Sequence, residues 1–227
     1  QVRRVTERYP RFLSRFPSFH SLAAASLKEV LAEWSGLGYN RRARFLRDSA
    51  RIVVEQYDGE LPQEPELLEQ LPGIGANTAG SIAAFAYNRP TIFFETNIRT
   101  VYIYYFFPGS SGVPDTALRP LLEATLDREQ PREWYYALMD LGVFIKSRVG
   151  NITRQSSSYA QQSPFRGSLR EVRGALLRYL TDRSTPVGEE ELRSALSFDH
   201  ARFDRALEKL EEEGLVARDR SGGYRIP

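Results

Sequence analysis

Apolar residues recur every three or four positions through most of the first 150 residues, which is the spacing of helices with one buried face. Glycine and proline separate these segments, and no alternating run of the kind that forms strands lies between them. The aromatic run VYIYYFF at 101–107 is interpreted as helix core, since alternate faces of one helix cannot all meet a ligand. The pattern therefore predicts an all-α region, with helices at about 2–16, 22–34, 40–57, 64–70, 77–87, 97–107, 115–127 and 132–148.

The pattern changes after a polar stretch of small residues at 150–168, which has the composition of a loop or linker. The rest predicts two short strands around a glycine pair, after helices at 169–181, 189–196 and 200–213. This order predicts a small winged-helix-like α+β domain at 165–227, behind a larger all-α domain at 1–164. Its last helix has an apolar face and a basic face, so reading a DNA groove and a packing or protein-contact role both remain open.

The composition is that of a globular protein with a real core, since 41% of the residues are hydrophobic and 26% are charged. A formal net charge of only +2 means that any surface for a polyanion must be local. The absence of cysteine excludes disulfides, cysteine-held iron–sulfur clusters and thiol nucleophiles, and the two histidines lack the spacing of a zinc site. No apolar run reaches the ~20 residues of a membrane span, so no membrane partner is expected.

The stretch LPGIGANTAG sets two glycines two positions apart behind a proline, where an apolar helix begins. Pro72 fixes its own φ, while Gly73 and Gly75 allow the left-handed or crowded backbone that a tight reversal needs. A helix capped by Asn77 or Thr78 would present free N–H groups to an anion, and without β-carbons a ligand can approach closely. The stretch is interpreted as a helix–hairpin–helix that holds a phosphate of DNA, with a plain glycine turn between helices as the alternative.

About twenty residues later, TIFFETNIRT brings one carboxylate, Glu95, out of an apolar approach and onto the start of the next helix. A carboxylate in such a place is a candidate catalytic group. Glu95 and Thr96 would equally serve to cap that helix, and the residues alone leave the two roles open.

Several stretches in the same order resemble the helix–hairpin–helix DNA glycosylase superfamily, specifically its MutY-type adenine glycosylases. They span residues 1 to about 150 and read RFPSFHSLAAASLKEVLAEWSGLGYNRRARFL, LPGIGANTAGSI, ETNIRTV and WYYALMDLG. The resemblance implies an all-α fold of two lobes, about 1–95 and 96–164, with a catalytic pocket between them and the winged-helix-like domain behind. It also implies hydrolysis of the N-glycosidic bond of a nucleotide flipped out of duplex DNA.

The same resemblance assigns roles to individual residues. It implies that Glu95 stabilises positive charge on the sugar or helps water to add, and that Asn97 orients Glu95 or the sugar. The backbone carbonyls of Leu71 and Gly73 resemble those that bind K⁺ or Na⁺ in the family. Contacts to DNA are implied for a larger set: Gln1, Tyr39, Arg42, Leu71, Pro72, Gly73, Ile74, Gly75, Asn77 and Thr78.

Four departures from the family pattern carry expectations of their own. Glu95 stands where the family normally has aspartate, and Asn77 stands where bifunctional relatives have a Schiff-base lysine, so β-lyase activity should be absent. The family's four cluster cysteines are missing after the MDLG helix, which resembles a cluster-free branch in which serine, tyrosine and backbone contacts order the loop. No MutT-like domain, which would read 8-oxoguanine, follows.

The family's general acid is a glutamate that would precede Gln1, and Gln1 looks like the last of the glutamines that follow that acid. Because the chain opens directly on helix-like sequence, a missing N-terminal segment is expected, and it would carry this acid.

Taken together, the residues and the resemblance predict a monofunctional DNA glycosylase of base-excision repair. Its expected substrate is duplex DNA with adenine opposite guanine or 8-oxoguanine, and its expected cofactors are none beyond a hairpin K⁺ or Na⁺. The alternatives are a glycosylase for uracil, a mismatched thymine or an alkylated or crosslinked base, or a non-catalytic module that binds DNA damage. A monomer located with the nucleoid in the cytoplasm is expected.

Overall fold

The structure is a computed structural model that describes the backbone of residues 2–227 and the side chains of residues 5–227. Gln1, for which the resemblance implies a DNA contact, lies outside the described residues. Helices dominate the described chain, and its only named strands are two residues long, so the predicted all-α class with a small C-terminal sheet is confirmed. Among the described residues, no helix is long and apolar enough to cross a bilayer.

The chain packs as two compact units, which differ from the predicted division at residue 164. One unit combines the residues up to Leu61 with Ser163–Pro227, and the other consists of Pro62–Gln162. The predicted boundary at residue 164 separates two sequence domains rather than two packed units, so it stays a prediction.

The first unit contains the N-terminal and C-terminal helices. Its elements are α1 Val2–Arg15, α2 Phe19–Ala24, α3 Leu27–Trp34, α4 Arg41–Gln56, α10 Leu169–Thr181, α11 Glu189–Leu196, α12 His200–Glu212, β1 Ala217–Arg218 and β2 Tyr224–Arg225. The predicted helix at 22–34 is two helices, because Ser26 caps a new one with Glu29 in a capping box. The two strands pair antiparallel, with Ala217 opposite Arg225.

One hydrophobic core joins both ends of the chain in this unit. Leu27 and Val30 of α3 lie in the same buried cluster as Val172 and Leu176 of α10 and Phe203 of α12. Polar contacts follow the same pattern: the Arg44 guanidinium of α4 donates to the Glu213 carbonyl at the end of α12. The three C-terminal helices and the hairpin thus have the order of a winged helix, but they pack on the N-terminal helices.

The second unit contains α5 Pro65–Leu68, α6 Ala76–Tyr87, α7 Thr96–Phe106, α8 Asp115–Thr125, α9 Pro131–Val149 and a 3₁₀ turn at Ile152–Gln155. Its core is built around the packing of α7 on α9. The aromatic run on α7 is core only in part, since Val101, Tyr102 and Ile103 are buried whereas Tyr104–Phe106 are exposed.

The loop after α9 is held in place by hydrogen bonds. The Val113 N–H donates to the Gln155 carbonyl at 2.8 Å, and the Ser157 N–H donates to the Val113 carbonyl at 3.0 Å. Thr153 is buried, and its hydroxyl lies 3.0 Å from the hydroxyl of Thr100 on α7. Backbone contacts were expected here, but the buried threonine pair was not.

Candidate active site

The predicted hairpin is a tight, exposed turn between α5 and α6. The Ile74 N–H donates to the Leu71 carbonyl at 3.1 Å, which closes the turn. Gly73 has φ +75°, in the left-handed region where a β-carbon is disfavoured, so this position favours glycine. Leu71 is buried and anchors the turn, whereas Gly73 and Gly75 are exposed. The backbone of the turn is therefore accessible to a ligand.

The start of α6 differs from the prediction. Gly75, with φ −104° and ψ 176°, is the N-cap residue, and no side chain caps the helix. The expectation that Asn77 or Thr78 is the cap was therefore wrong, because both lie within the first turn of α6, where they are exposed. The Thr78 N–H donates to the Gly75 carbonyl at 2.9 Å, whereas the N–H groups of Ala76 and Asn77 lie at the first two helical positions, which have no acceptor within the helix, and the helix dipole adds positive potential there. A β-carbon on Gly75 would have no heavy atom within 4 Å, so the space in front of these amides is open.

Asn77 connects the hairpin helix to the segment that carries the predicted catalytic carboxylate. Its Oδ1 accepts a hydrogen bond from the Phe94 N–H at 3.0 Å. A second link follows one turn later, where the Thr91 hydroxyl donates to the Gly80 carbonyl at 2.7 Å. The hairpin and Glu95 are thus parts of one packed substructure within the second unit.

Glu95 is the N-cap residue of α7, and it follows the buried Phe93 and Phe94. Its Oε2 accepts a hydrogen bond from the Asn97 N–H at 2.6 Å. Glu95 therefore caps α7, which is one of the two roles that the sequence left open. The carboxylate is half-exposed, and one of its oxygens is held by a backbone amide. Both features suit an anion that must face a substrate from a fixed position.

Asn97 lies at the centre of a small polar cluster between α7 and α9. Its Oδ1 accepts a hydrogen bond from the Lys146 ammonium at 2.8 Å, and its Nδ2 lies 3.9 Å from the Met139 sulfur. Gly142 packs directly on the backbone of Asn97, with no room for a β-carbon. Lys146 was missed by sequence reasoning. The available signal was its position four residues after the glycine of MDLG, on the same helix face.

The Lys146 ammonium is in an unusual electrostatic environment. Its burial lowers its pKa below the ordinary lysine value, and the negative charge of Glu95 opposes this by raising it. The cluster therefore combines a carboxylate, an amide and a half-buried cation around the first turn of α7.

The remaining predicted residues belong to the other compact unit. Tyr39 has φ +49° and its side chain is 65% exposed, beside Gly38 with φ +73°. Arg42 lies in the first turn of α4, with its guanidinium 6.0 Å from the centre of the Trp34 ring. The structure thus brings together the hairpin, Glu95 and Asn97 within the second unit, whereas Tyr39 and Arg42 belong to the first unit.

The candidate ligands for a monovalent cation are backbone carbonyls of the hairpin. The Leu71 carbonyl already accepts the Ile74 N–H, and a carbonyl oxygen has a second lone pair that a cation can use. Gly73 is an exposed turn residue, and its carbonyl is the second candidate ligand. These oxygens are chemically suited to K⁺ or Na⁺. Within the described residues, no group of three or more histidine, aspartate or glutamate side chains forms a metal cluster.

This geometry agrees with similarities to known proteins. The family model described as "HhH-GPD superfamily base excision DNA repair protein" matches residues 1–120. The adenine DNA glycosylase of Mycolicibacterium smegmatis is 31% identical over 247 residues, which cover 99% of this chain and 82% of that protein. The protein of the same name from Mycobacterium tuberculosis is 31% identical over 245 residues, covering 99% and 80%.

Among solved structures, a thermostable thymine-DNA glycosylase superposes with a TM-score of 0.51 at 23% identity, over 64% of this chain and 66% of that one. That likeness concerns the fold alone. The family match covers more than half of the 227 residues, and the mycobacterial relatives align over nearly the whole chain. The chain therefore belongs to the HhH-GPD superfamily of base excision DNA repair proteins, in its MutY-type adenine glycosylase branch.

Proposed function

We propose that the protein is a DNA glycosylase that removes adenine from mispairs with guanine or 8-oxoguanine in duplex DNA. The observation that carries this proposal is the link between hairpin and carboxylate: Asn77 of the exposed hairpin helix holds the Phe94 N–H, next to Glu95. A phosphate clamp and an anionic group are thereby held in one packed unit. The full-length similarity to adenine DNA glycosylases supports adenine as the base.

In the proposed reaction, the exposed turn and the first-turn amides of α6 hold a phosphate beside the flipped nucleotide. The bond between C1′ and the base nitrogen breaks, and its electron pair leaves with the base, which a general acid protonates. The Glu95 carboxylate stabilises the positive charge that develops on the sugar, and water adds to C1′ and loses a proton. The expected general acid is the glutamate that the family places upstream of Gln1.

The proposal includes the absence of β-lyase chemistry. That chemistry needs an amine to form an imine with the sugar aldehyde, and Asn77 occupies the position of the lysine that does so in bifunctional relatives. The Asn77 amide is also engaged, since its Oδ1 accepts the Phe94 N–H. The product should therefore be an intact strand with an abasic site.

We further propose that no iron–sulfur cluster is used and that K⁺ or Na⁺ binds the carbonyls of Leu71 and Gly73. The 227 residues contain no cysteine, and the loop after α9 is ordered by hydrogen bonds with Val113 and Thr100. A bound cation would add positive charge beside the phosphate. A monomer that acts on duplex DNA with the nucleoid completes the proposal.

The decisive experiment measures base release by the full-length protein from a duplex with adenine opposite 8-oxoguanine, under single turnover. Glu95→Gln should reduce the rate by about 100- to 1000-fold, the effect of removing one electrostatic stabiliser. Glu133→Gln is the control, since Glu133 is another carboxylate in the first turn of a helix of the same unit, and it is exposed. Equal rates for Glu95→Gln and wild type would refute the catalytic assignment.

The same assay separates the alternatives. A panel of duplexes with uracil, mismatched thymine or alkylated bases identifies another substrate if adenine is not released. Salt-dependent binding without any abasic product would indicate a non-catalytic damage-binding module. Strand breakage without added alkali would contradict the argument from Asn77.

The hairpin has its own test. Gly75→Val should weaken binding to duplex DNA, because the new side chain fills the open space before the amides while its extended backbone suits valine. Gly188→Val is the control: Gly188 is also an extended N-cap residue, of α11, and a β-carbon there would have no heavy atom within 4 Å. Unchanged affinity in Gly75→Val would place the phosphate elsewhere.

A further inference from the structure

One face of α9 is directed at Asn97. Met139, Gly142 and Lys146 are spaced by three and four residues, so they form a single stripe along the helix. Each of the three contacts Asn97: the sulfur lies 3.9 Å from Nδ2, the glycine lies against the backbone, and the ammonium donates to Oδ1 at 2.8 Å. This stripe determines how Asn97 sits.

We propose that Lys146 is a positioning residue that fixes the side-chain amide of Asn97 and, through the Asn97 backbone, the carboxylate of Glu95. This inference rests on the glycosylase function proposed above.

The first argument is the direction of the hydrogen bonds. An ammonium only donates, so Lys146 must face the oxygen of the amide and never its NH₂ group. The opposite orientation of Asn97 would bring two donors together. With Oδ1 fixed on Lys146, Nδ2 is directed to Met139, whose thioether is a weak acceptor. Among the described residues, the second Nδ2 hydrogen has no other acceptor and is available to a substrate oxygen.

The second argument excludes a purely stabilising role. A lysine that only packs its stem keeps its ammonium in water, whereas Lys146 is half-buried and its ammonium donates to an amide oxygen. It also lies at the N-terminal end of α7, where the helix dipole disfavours a cation. Burial lowers its pKa, and Glu95 is the charged side chain that acts against this change. Stability of α7 therefore does not explain why a lysine occupies this position.

The third argument concerns the coupling to Glu95. Asn97 holds Lys146 through its side chain and Glu95 through its backbone N–H, at 2.8 Å and 2.6 Å. A shift of Asn97 toward or away from α9 therefore moves the N–H that locates the carboxylate. Lys146 acts on the reaction through these two hydrogen bonds.

The experiment compares single-turnover adenine release by Lys146→Met, Lys146→Arg and Arg148→Met in the full-length protein. Methionine keeps the apolar stem and removes the donor, so the rate should fall by about 10- to 100-fold, the effect of one charge-assisted hydrogen bond. Arginine should restore most of the rate. Arg148→Met removes an exposed cation two residues later on α9 and should have no effect.

A double-mutant cycle distinguishes positioning from general destabilisation. In an Asn97→Ala background, Lys146→Met should cause no further loss of rate, because the group that it positions is gone. A full 10- to 100-fold loss in that background would overturn the proposal. So would a wild-type rate in Lys146→Met, or a borohydride-trapped adduct between Lys146 and abasic DNA, which would make it a nucleophile.

A measurement without DNA keeps this inference separate from the proposed function. The Asn97 side-chain amide signals, followed by ¹⁵N NMR, should move and broaden in Lys146→Met but not in Arg148→Met. If the wild-type protein releases no base from any duplex, the proposed function fails while these signals still decide the position of Asn97. Identical signals in wild type and Lys146→Met would overturn the inference itself.

Discussion

The substitution Gly142→Ala tests how closely α9 must approach Asn97, the predicted catalytic asparagine. A β-carbon on Gly142 would lie 2.5 Å from the Asn97 carbonyl oxygen, 2.6 Å from its β-carbon and 2.8 Å from its α-carbon. These atoms belong to the backbone or are attached directly to it, so no change of rotamer relieves the overlap. Gly142→Ala must therefore push α9 away from the start of α7 or leave both helices strained.

Two opposing contributions set the size of the effect. Alanine in a helix is favoured over glycine by about 1 kcal/mol. Forcing a methyl group into a filled space typically lowers stability by about 1–3 kcal/mol, and we expect a clash with backbone atoms to lie at the upper end of that range. We expect a net loss of about 1–2 kcal/mol in the free energy of unfolding, or roughly 2–8 °C in Tm for a chain of this size. The rate of base release should fall by up to about 100-fold, since Asn97 moves with its N–H.

The assay combines thermal unfolding with single-turnover kinetics on three alanine variants. Gly174→Ala is the control: Gly174 lies within α10, and a β-carbon there would have no heavy atom within 4 Å, so the free energy of unfolding should rise by about 0.5–1 kcal/mol. Gly80→Ala is intermediate, with contacts of 3.1 Å to Phe93 and 3.3 Å to Ile92, and should be near neutral. If Gly142→Ala is as stable as Gly174→Ala and fully active, the close approach of α9 is not required.

Three further outcomes are expected. Thr153→Val should lower the free energy of unfolding by about 1 kcal/mol. The Thr100 hydroxyl donates to the Thr96 carbonyl, so the Thr153 hydroxyl must donate to Thr100, and valine would remove that donor. Calorimetry on Thr153→Val, with Thr153→Ser as the control, measures the loss. Glu213→Gln should destabilise by about 1–3 kcal/mol at neutral pH. The hydrogen bonds from Arg173 lower the pKa of Glu213 in the folded state. The stability that they contribute is therefore present above pH 4.5 and is lost as the pH falls through the folded-state pKa. The free energies of unfolding of wild type and Glu213→Gln, measured by denaturant titration, should converge in acid. Replacing K⁺ by tetramethylammonium at constant ionic strength should weaken duplex binding, measured by anisotropy, and equal affinities would exclude the hairpin cation.

Local signals in the sequence predicted most of the helices well. Residues 169–181 and 189–196 were predicted and observed with the same limits, because periodic apolar positions and flanking glycine or proline act within one segment. The split between α2 and α3 was also signalled, since the Ser26 capping box marks a helix start. A single helical segment over 22–34 was nevertheless predicted, because the apolar pattern continues across Ser26.

The site was predictable only where its contacts are local. Glu95 and Asn97 are two residues apart, and their hydrogen bond follows from capping. The N-cap of α6 was predicted wrongly for a long-range reason: the Asn77 side chain accepts a hydrogen bond from the Phe94 N–H, 17 residues away. Lys146 is 49 residues from Asn97, and its role depends on how α9 packs on α7. No spacing rule within one segment contains that information.

The C-terminal segment is better understood from its packing than from its winged-helix order. Phe203 and Leu207 of α12 face the core as predicted, and that core includes Leu27 and Val30 of α3. Among the basic residues of α12, Arg202 pairs with Asp199 and Lys209 with Glu212, so these charges are partly neutralised. The buried contacts with α3 give the segment a packing role, in which it completes the fold of the first unit.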